Sequence, residues 1–157
     1  MASYRLKKVK KKMKAESSIV IKGSIYEVFS VAKNVEKYSE FMPQFKETRI
    51  IREDGDKIIM ERKVKIGWLH SNWQSEMVTE ENKCIKFVHL SGLLKGMKTK
   101  WRFKDTGKEV KIKVLHNFEI RVPIVGRIME FVVWNVFIKR TAKTMLKKMK
   151  ERVEGKI

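Results

Sequence analysis

From about residue 57 to residue 118, apolar side chains recur at every second position. Ile58, Met60, Val64 and Ile66 share one parity, interrupted by Arg62. Leu69, Ser71, Trp73, Ser75 and Met77 share the next, with Asn72, Gln74 and Glu76 facing away. Ile85, Phe87 and His89 continue the pattern. Met97, Thr99, Trp101 and Phe103 then alternate with Lys98, Lys100, Arg102 and Lys104, and Val110, Ile112, Val114, His116 and Phe118 alternate with Lys111, Lys113 and Asn117. A period of two with one polar side predicts consecutive half-buried strands of an antiparallel sheet. Turn-forming runs separate them: Glu-Asp-Gly-Asp at 53–56, Glu-Glu-Asn-Lys at 80–83 and Asp-Thr-Gly-Lys at 105–108.

The flanks have other periods. SSIVIKGS reads as a strand with Ile19 and Ile21 on one face. Ser24 and Glu27 are spaced as a capping box, and behind them Ile25, Val28, Phe29 and Ala32 fall on one helical face. Asn34 is placed to cap a second short helix carrying Val35, Tyr38, Phe41 and Met42, which Pro43 stops. After Pro123 a long helix is expected over roughly 124–153. Its inner stripe is Ile128, Phe131, Asn135, Ile138, Ala142, Met145, Met149 and Val153.

These elements predict an α+β chain: a curved antiparallel sheet of about seven strands wrapped around a long carboxy-terminal helix, with two short helices after the first strand. Curvature holds the middle of such a sheet away from the helix, leaving room for a cavity. Tyr38, Phe41, Met42 and Phe45 are expected at its rim, lining an entrance.

At 157 residues with 43% hydrophobic content, one domain with a sizeable core is expected. The lone cysteine, Cys84, excludes an internal disulfide, reads as a small apolar strand residue and fits a reducing cytoplasm. The most apolar stretch, IMEFVVWNVFI at 128–138, is far shorter than the roughly 20 residues a bilayer crossing needs. No transmembrane segment or secretory leader is expected.

The net charge of +19 gathers at the ends. Residues 1–14 carry seven basic side chains, among them Lys7, Lys8, Lys10, Lys11 and Lys12, and no acid. Residues 139–157 carry eight, among them Lys139, Arg140, Lys143, Lys147 and Lys148, against Glu151 and Glu154. The first 14 residues therefore read as a basic extension ahead of a domain over 15–157. Both ends are suited to an anionic membrane surface, at the inner face of a cytoplasmic membrane, or to RNA. Solvated charge that serves only solubility is the plain alternative.

Candidate chemistry is sparse. His70, His89 and His116 lack metal-ligand spacing, no Ser-His-Asp or Cys-His arrangement stands out, and GLLKGMK lacks the ending of a phosphate loop. No metal, cofactor or catalytic set is expected. His89 and His116 have cavity parity, as satisfied wall residues or as ligand hydrogen-bonding groups. Arg62 either orients a polar ligand head or pairs with Glu61 or Glu76. Asn135 is the polar member of the helix stripe and needs a partner if buried. Trp73, Phe87, Trp101, Phe103, Phe118 and Phe131 are candidate wall aromatics, and Met60 and Met77 supply flexible apolar surface; plain core packing is the competing reading for each.

Three segments carry a resemblance. VFSVAKNVEKYSEFMPQFKETRII (28–51), HLSGLLKGMKTKWRF (89–103) and NFEI (117–120) together resemble, in the same order, the polyketide cyclase/dehydrase branch of the START-like (SRPBCC) superfamily. The chain is similar to coenzyme-Q-binding START proteins and to bacterial ribosome-association toxins. The resemblance implies a helix-grip (START/Bet v 1-like) fold with a deep apolar pocket. It also implies one of three activities: binding an isoprenoid quinone, shaping a polyketide as a cyclase or aromatase, or contacting the large ribosomal subunit. The chain departs from the pattern at Ser39, where relatives usually carry proline, and at Gln44-Phe45, which replace a common Trp-Cys pair. The leading expectation is a carrier for an isoprenoid quinone or related ring-plus-tail lipid. An RNA- or ribosome-associated factor and a cyclase or dehydratase are the alternatives.

Overall fold

The computed structural model describes residues 9–92, 94–122 and 138–156. The chain runs β1 (Val9–Lys22), α1 (Ile25–Lys33), a 3-10 turn (Val35–Lys37), α2 (Tyr38–Phe41), β2 (Phe45–Asp54) and β3 (Lys57–Ile66). It continues through β4 (Leu69–Glu80), β5 (Cys84–His89), β6 (Lys98–Asp105) and β7 (Glu109–Val122) to α3 (Arg140–Val153). All seven strands form one curved antiparallel sheet in the order β1-β7-β6-β5-β4-β3-β2. Strands β2 to β7 are a meander of sequence neighbours, whereas β1 pairs with β7 along its whole length, from Val9 opposite Val122 to Lys22 opposite Glu109. Register shifts in β2, between Phe45 and Glu47 and between Ile50 and Arg52, bend that edge against β3.

Local chemistry explains the boundaries. Gly23, at φ 148°, turns the chain from β1 into α1. Ser24 Oγ accepts from the Glu27 amide at 3.2 Å, while the Ser24 amide donates to Glu27 Oε2 at 3.3 Å, so the capping box closes at both ends. Asn34 behaves otherwise than expected. Its side chain makes no capping hydrogen bond; its carbonyl accepts from the Lys37 amide at 3.1 Å and starts the 3-10 turn.

The inner face of the sheet, α1, α2 and α3 share one apolar core. Phe29 meets Phe103 edge-to-face at 5.1 Å between centroids, amid Ile21, Val28, Ile85, Ile112 and Met149. A smaller cluster joins Ile138 to Met97 and Phe118. On α3 the buried positions are Ala142, Leu146 and Met149; Met145 and Val153 are only partly covered. The stripe thus runs through Leu146, which the expected spacing passed over. Residues 123–137, on which the first half of the expected helix falls, lie outside the described residues.

α3 is tied to the first strand and to α2 by polar contacts. The Lys22 amide donates to Glu154 Oε1 at 3.0 Å, Lys150 Nζ donates to the Val20 carbonyl at 2.9 Å, and Arg152 pairs with Glu40 at 2.8 Å. Strand β1 is longer than SSIVIKGS, so Lys10, Lys11 and Lys12 lie on the sheet ladder. Among the described residues, no helix is long and apolar enough to cross a membrane.

Candidate functional site: a cavity around a buried arginine

Between the inner sheet face and α3 lies a cavity of about 90 Å³. The strand alternation supplies one wall: Arg62 and Val64 from β3, Trp73 from β4, Phe87 and His89 from β5, Thr99 and Trp101 from β6, and Val114 and His116 from β7. Tyr38 of α2, followed by Gln44 and Phe45, closes one side. Thr141, Ala142 and Met145 of α3, with Ile138, form the lid, and Leu94 and Met97 complete the lining.

Arg62 is the unusual member. It occupies an inward position between Met60 and Val64 and is 5% exposed. Its guanidinium carbon lies 4.8 Å from the Phe87 centroid, 5.1 Å from Phe45 and 5.8 Å from Tyr38, a three-sided aromatic cradle. Nε contacts Met60 Sδ at 3.1 Å, and among the described residues the buried Nη2 has no hydrogen-bond partner. The expected carboxylates are engaged elsewhere: Glu61 pairs with Arg49 at 3.0 Å and Glu76 with Lys57 at 3.7 Å. Burial lowers the Arg62 pKa to about 10, so the cation persists at neutral pH in an apolar setting.

The groups around it are neutral. Burial, reinforced by the nearby Arg62 and His116, pulls His89 from 6.5 to about 4, and burial alone does the same to His116. His116 Nδ1 is hydrogen-bonded with Thr99 Oγ1 at 3.0 Å; among the described residues His116 Nε2 and His89 Nδ1 have no partner. Burial raises the Tyr38 pKa against the attraction of Arg62, and the hydroxyl donates to the Ala32 carbonyl. Tyr38 is therefore a fixed wall with its polar end already occupied. Trp73 Nε1 and both side-chain amide atoms of Gln44 are buried with no partner among the described residues. Behind Trp73, the β5–β6 loop comes in so closely that a Cβ on Gly92 (φ 82°) would lie 2.9 Å from the Trp73 Cβ.

Of the residues singled out from the sequence, Tyr38, Phe45, Arg62, Trp73, Phe87, His89, Trp101 and His116 converge on the cavity. Phe41, Met42, Met60, Met77 and Phe103 pack in the main core and do not line it, and Phe118 belongs to the smaller cluster. Phe41 is instead covered by Arg152, whose guanidinium lies 5.4 Å from its ring. Phe131 and Asn135 lie outside the described residues. Gln44, Thr99 and Met97 were not singled out. Thr99 and Met97 share the parity of Trp101, and Gln44 sits at a departure from the family pattern, so a signal existed for each.

The basic side chains divide similarly. Lys12, Lys139, Arg140, Lys143 and Lys147 are exposed, whereas Lys148 pairs with Glu151 at 3.0 Å. Lys10 and Lys11 lie on β1, and Lys7 and Lys8 fall outside the described residues.

Among the described residues the arrangement is an apolar chamber with one cation, several unsatisfied donors and neutral imidazoles. It suits an uncharged or electron-rich polar head on an otherwise apolar guest. No curated protein matches the chain by sequence. Among solved structures, the Zhui aromatase/cyclase of Streptomyces sp. R1128 superposes with a TM-score of 0.78 at 16% identity, covering 92% of this chain and 94% of that one. A START superfamily protein of Mycobacterium smegmatis gives 0.75 at 16% identity, covering 92% and 99%. A protein of Thermus thermophilus gives 0.81 at 16% identity, also covering 92% and 99%. These likenesses establish the helix-grip fold, and a family model described as polyketide cyclase/dehydrase and lipid transport matches residues 21–150. The chain belongs to the polyketide cyclase/dehydrase and lipid-transport family.

Proposed function

We propose that this chain binds a lipophilic molecule with a polar ring and an apolar tail, an isoprenoid quinone representing that class. The observation that carries the reading is Arg62, whose buried Nη2 has no partner among the described residues and whose guanidinium borders an apolar cavity. A ring carbonyl accepts from that nitrogen, with Trp73 Nε1 and Gln44 Nε2 as further donors. Trp101 and Phe87 offer faces against the ring. Leaving such donors unsatisfied costs about 1–3 kcal/mol each, so a guest that satisfies them gains in affinity and in orientation.

The cavity of about 90 Å³ is smaller than the roughly 150 Å³ that holds benzene in an engineered protein core. A ring therefore enters only as wall side chains turn aside. Met97, Met145 and Leu94 are the adaptable ones among the lining. Burial of the tail supplies roughly 25 cal/mol per Å² of apolar surface.

Organic extraction of the purified protein followed by mass spectrometry, and quenching of Trp73 and Trp101 fluorescence by a short-chain quinone, test this reading. Saturable quenching that Arg62→Met weakens is expected. A wild-type protein that carries no lipid and gives no saturable quenching would overturn it.

A second reading, cyclisation of a polyketide-like chain, is favoured by two neutral histidines with unpartnered ring nitrogens beside a cation. It requires turnover that His89→Ala or His116→Ala abolishes while binding survives.

A further inference from the structure

The outward face of the sheet is electrostatically split. On β2 and β3 opposite charges face one another across the ladder: Glu47 opposes Lys63, Arg49 opposes Glu61, and Asp54 opposes Lys57. The first two pairs close at 2.7 and 3.0 Å. On β5, β6 and β7 the same face sets cation against cation. Lys86 opposes Lys100, Arg102 opposes Lys113, and Lys104 opposes Lys111. Among the described residues, only Lys113 of these six has a carboxylate at ion-pair distance, Glu16 at 2.8 Å.

Directly opposed like charges work against strand pairing. A high net charge aids solubility wherever its cations sit, so solubility does not call for three facing pairs on adjoining strands. The sequence avoids such pairs on β2–β3 and repeats them on β5–β7, which points to a partner that neutralises them.

We propose that this half of the sheet binds the sugar–phosphate backbone of a nucleic acid without reading its bases. Outward side chains recur about every 6.8 Å along a strand, and neighbouring strands lie about 4.8 Å apart, so the ladder holds its cations in a fixed grid. A chain of regularly spaced phosphates complements such a grid and releases counterions on binding. The other outward positions described on these strands include half-buried Val88 and Leu115, and Asn117. None of them is an aromatic that stacks on a base or wedges into lipid. The face lies on the opposite side of the sheet from the cavity and is independent of what the cavity holds.

Fluorescence anisotropy with a labelled oligouridine of about 20 nucleotides, between roughly 50 and 200 mM salt, tests the assignment on the full chain. The variant Lys100→Gln/Arg102→Gln/Lys104→Gln is compared with Arg49→Gln/Lys57→Gln/Lys63→Gln on the balanced half, both checked for folding by thermal melt. The first is expected to weaken binding tenfold or more and to flatten the slope of log K against log salt by about 2, from three contacts at about 0.7 each. The second leaves both unchanged. Three outcomes overturn the proposal: wild-type protein that does not bind RNA at low salt, equal losses in the two variants, or capture of phosphatidylglycerol vesicles through the same lysines without RNA binding.

Discussion

Arg62 lies 4.8 Å from the centroid of Phe87 and shares its strand ladder with Trp73, so a permanent cation is packed among rings. Aromatic faces attract it, yet they return less than the water it gave up. On its own account the buried cation therefore adds little to stability.

Arg62→Met therefore separates the two roles. The unfolding free energy is expected to stay level or rise, because an uncompensated buried charge is removed and its volume is largely kept. Affinity for a quinone-like guest is expected to fall about tenfold or more, in line with the roughly 1.5–3 kcal/mol of a hydrogen bond to a charged group. Urea denaturation beside fluorescence titration reads both; a large loss of stability would recast Arg62 as structural.

Acid acts through the two cavity histidines. Both have a pKa pulled from 6.5 down to about 4 in the folded chain, so the unfolded chain binds more protons in that interval. Their contribution to stability is complete above pH 6.5, declines as the pH falls towards 4, and changes no further below that. The double variant His89→Gln/His116→Gln is expected to show a shallower decline of Tm than the wild type over that window. Parallel curves would contradict the burial of these rings as neutral imidazoles.

Gly92→Ala strains the cavity wall from outside. A methyl there sits 2.9 Å from the Trp73 Cβ at a φ of 82°, so both backbone and contact resist it. A loss of about 1–3 kcal/mol is expected in chemical denaturation, with a shift in tryptophan emission as Trp73 moves. Unchanged emission would place the strain elsewhere.

Arg102→Gln is expected to stabilise the chain at low salt by about 0.2–1 kcal/mol, because Lys113 directly opposite is relieved of a like charge. At about 1 M salt, where screening acts within about 3 Å, the gain is expected to vanish. Melting curves at the two salt concentrations decide the matter.

Much of this site was legible in the alternation itself. The parity that makes β3 to β7 one-sided also turns Arg62, Trp73, Phe87, His89, Trp101 and His116 inward. What parity cannot tell is whether an inward side chain fills space or borders it. Phe41, Met42, Tyr38 and Phe45 are all buried in one core cluster, yet only Tyr38 and Phe45 border the cavity, a distinction that hydrophobicity does not carry. Gln44 and Leu94 escaped because they sit in irregular segments with no period to follow. Leu146 was passed over since two adjacent helix positions, Met145 and Leu146, both satisfy a spacing of three or four, and only the placement of α3 chooses between them. The facing lysines were visible as alternation, but their opposition depends on register, which the sequence did not provide.

The union of β1 with β7 has a consequence for biogenesis. The amino-terminal strand is synthesised first, yet the strand that receives it appears only after the whole meander has been made. Until then β1 lacks the neighbour to which it hydrogen-bonds in the finished sheet. Closing that seam joins segments from opposite ends of the sequence, and such long-range pairing is slow to form.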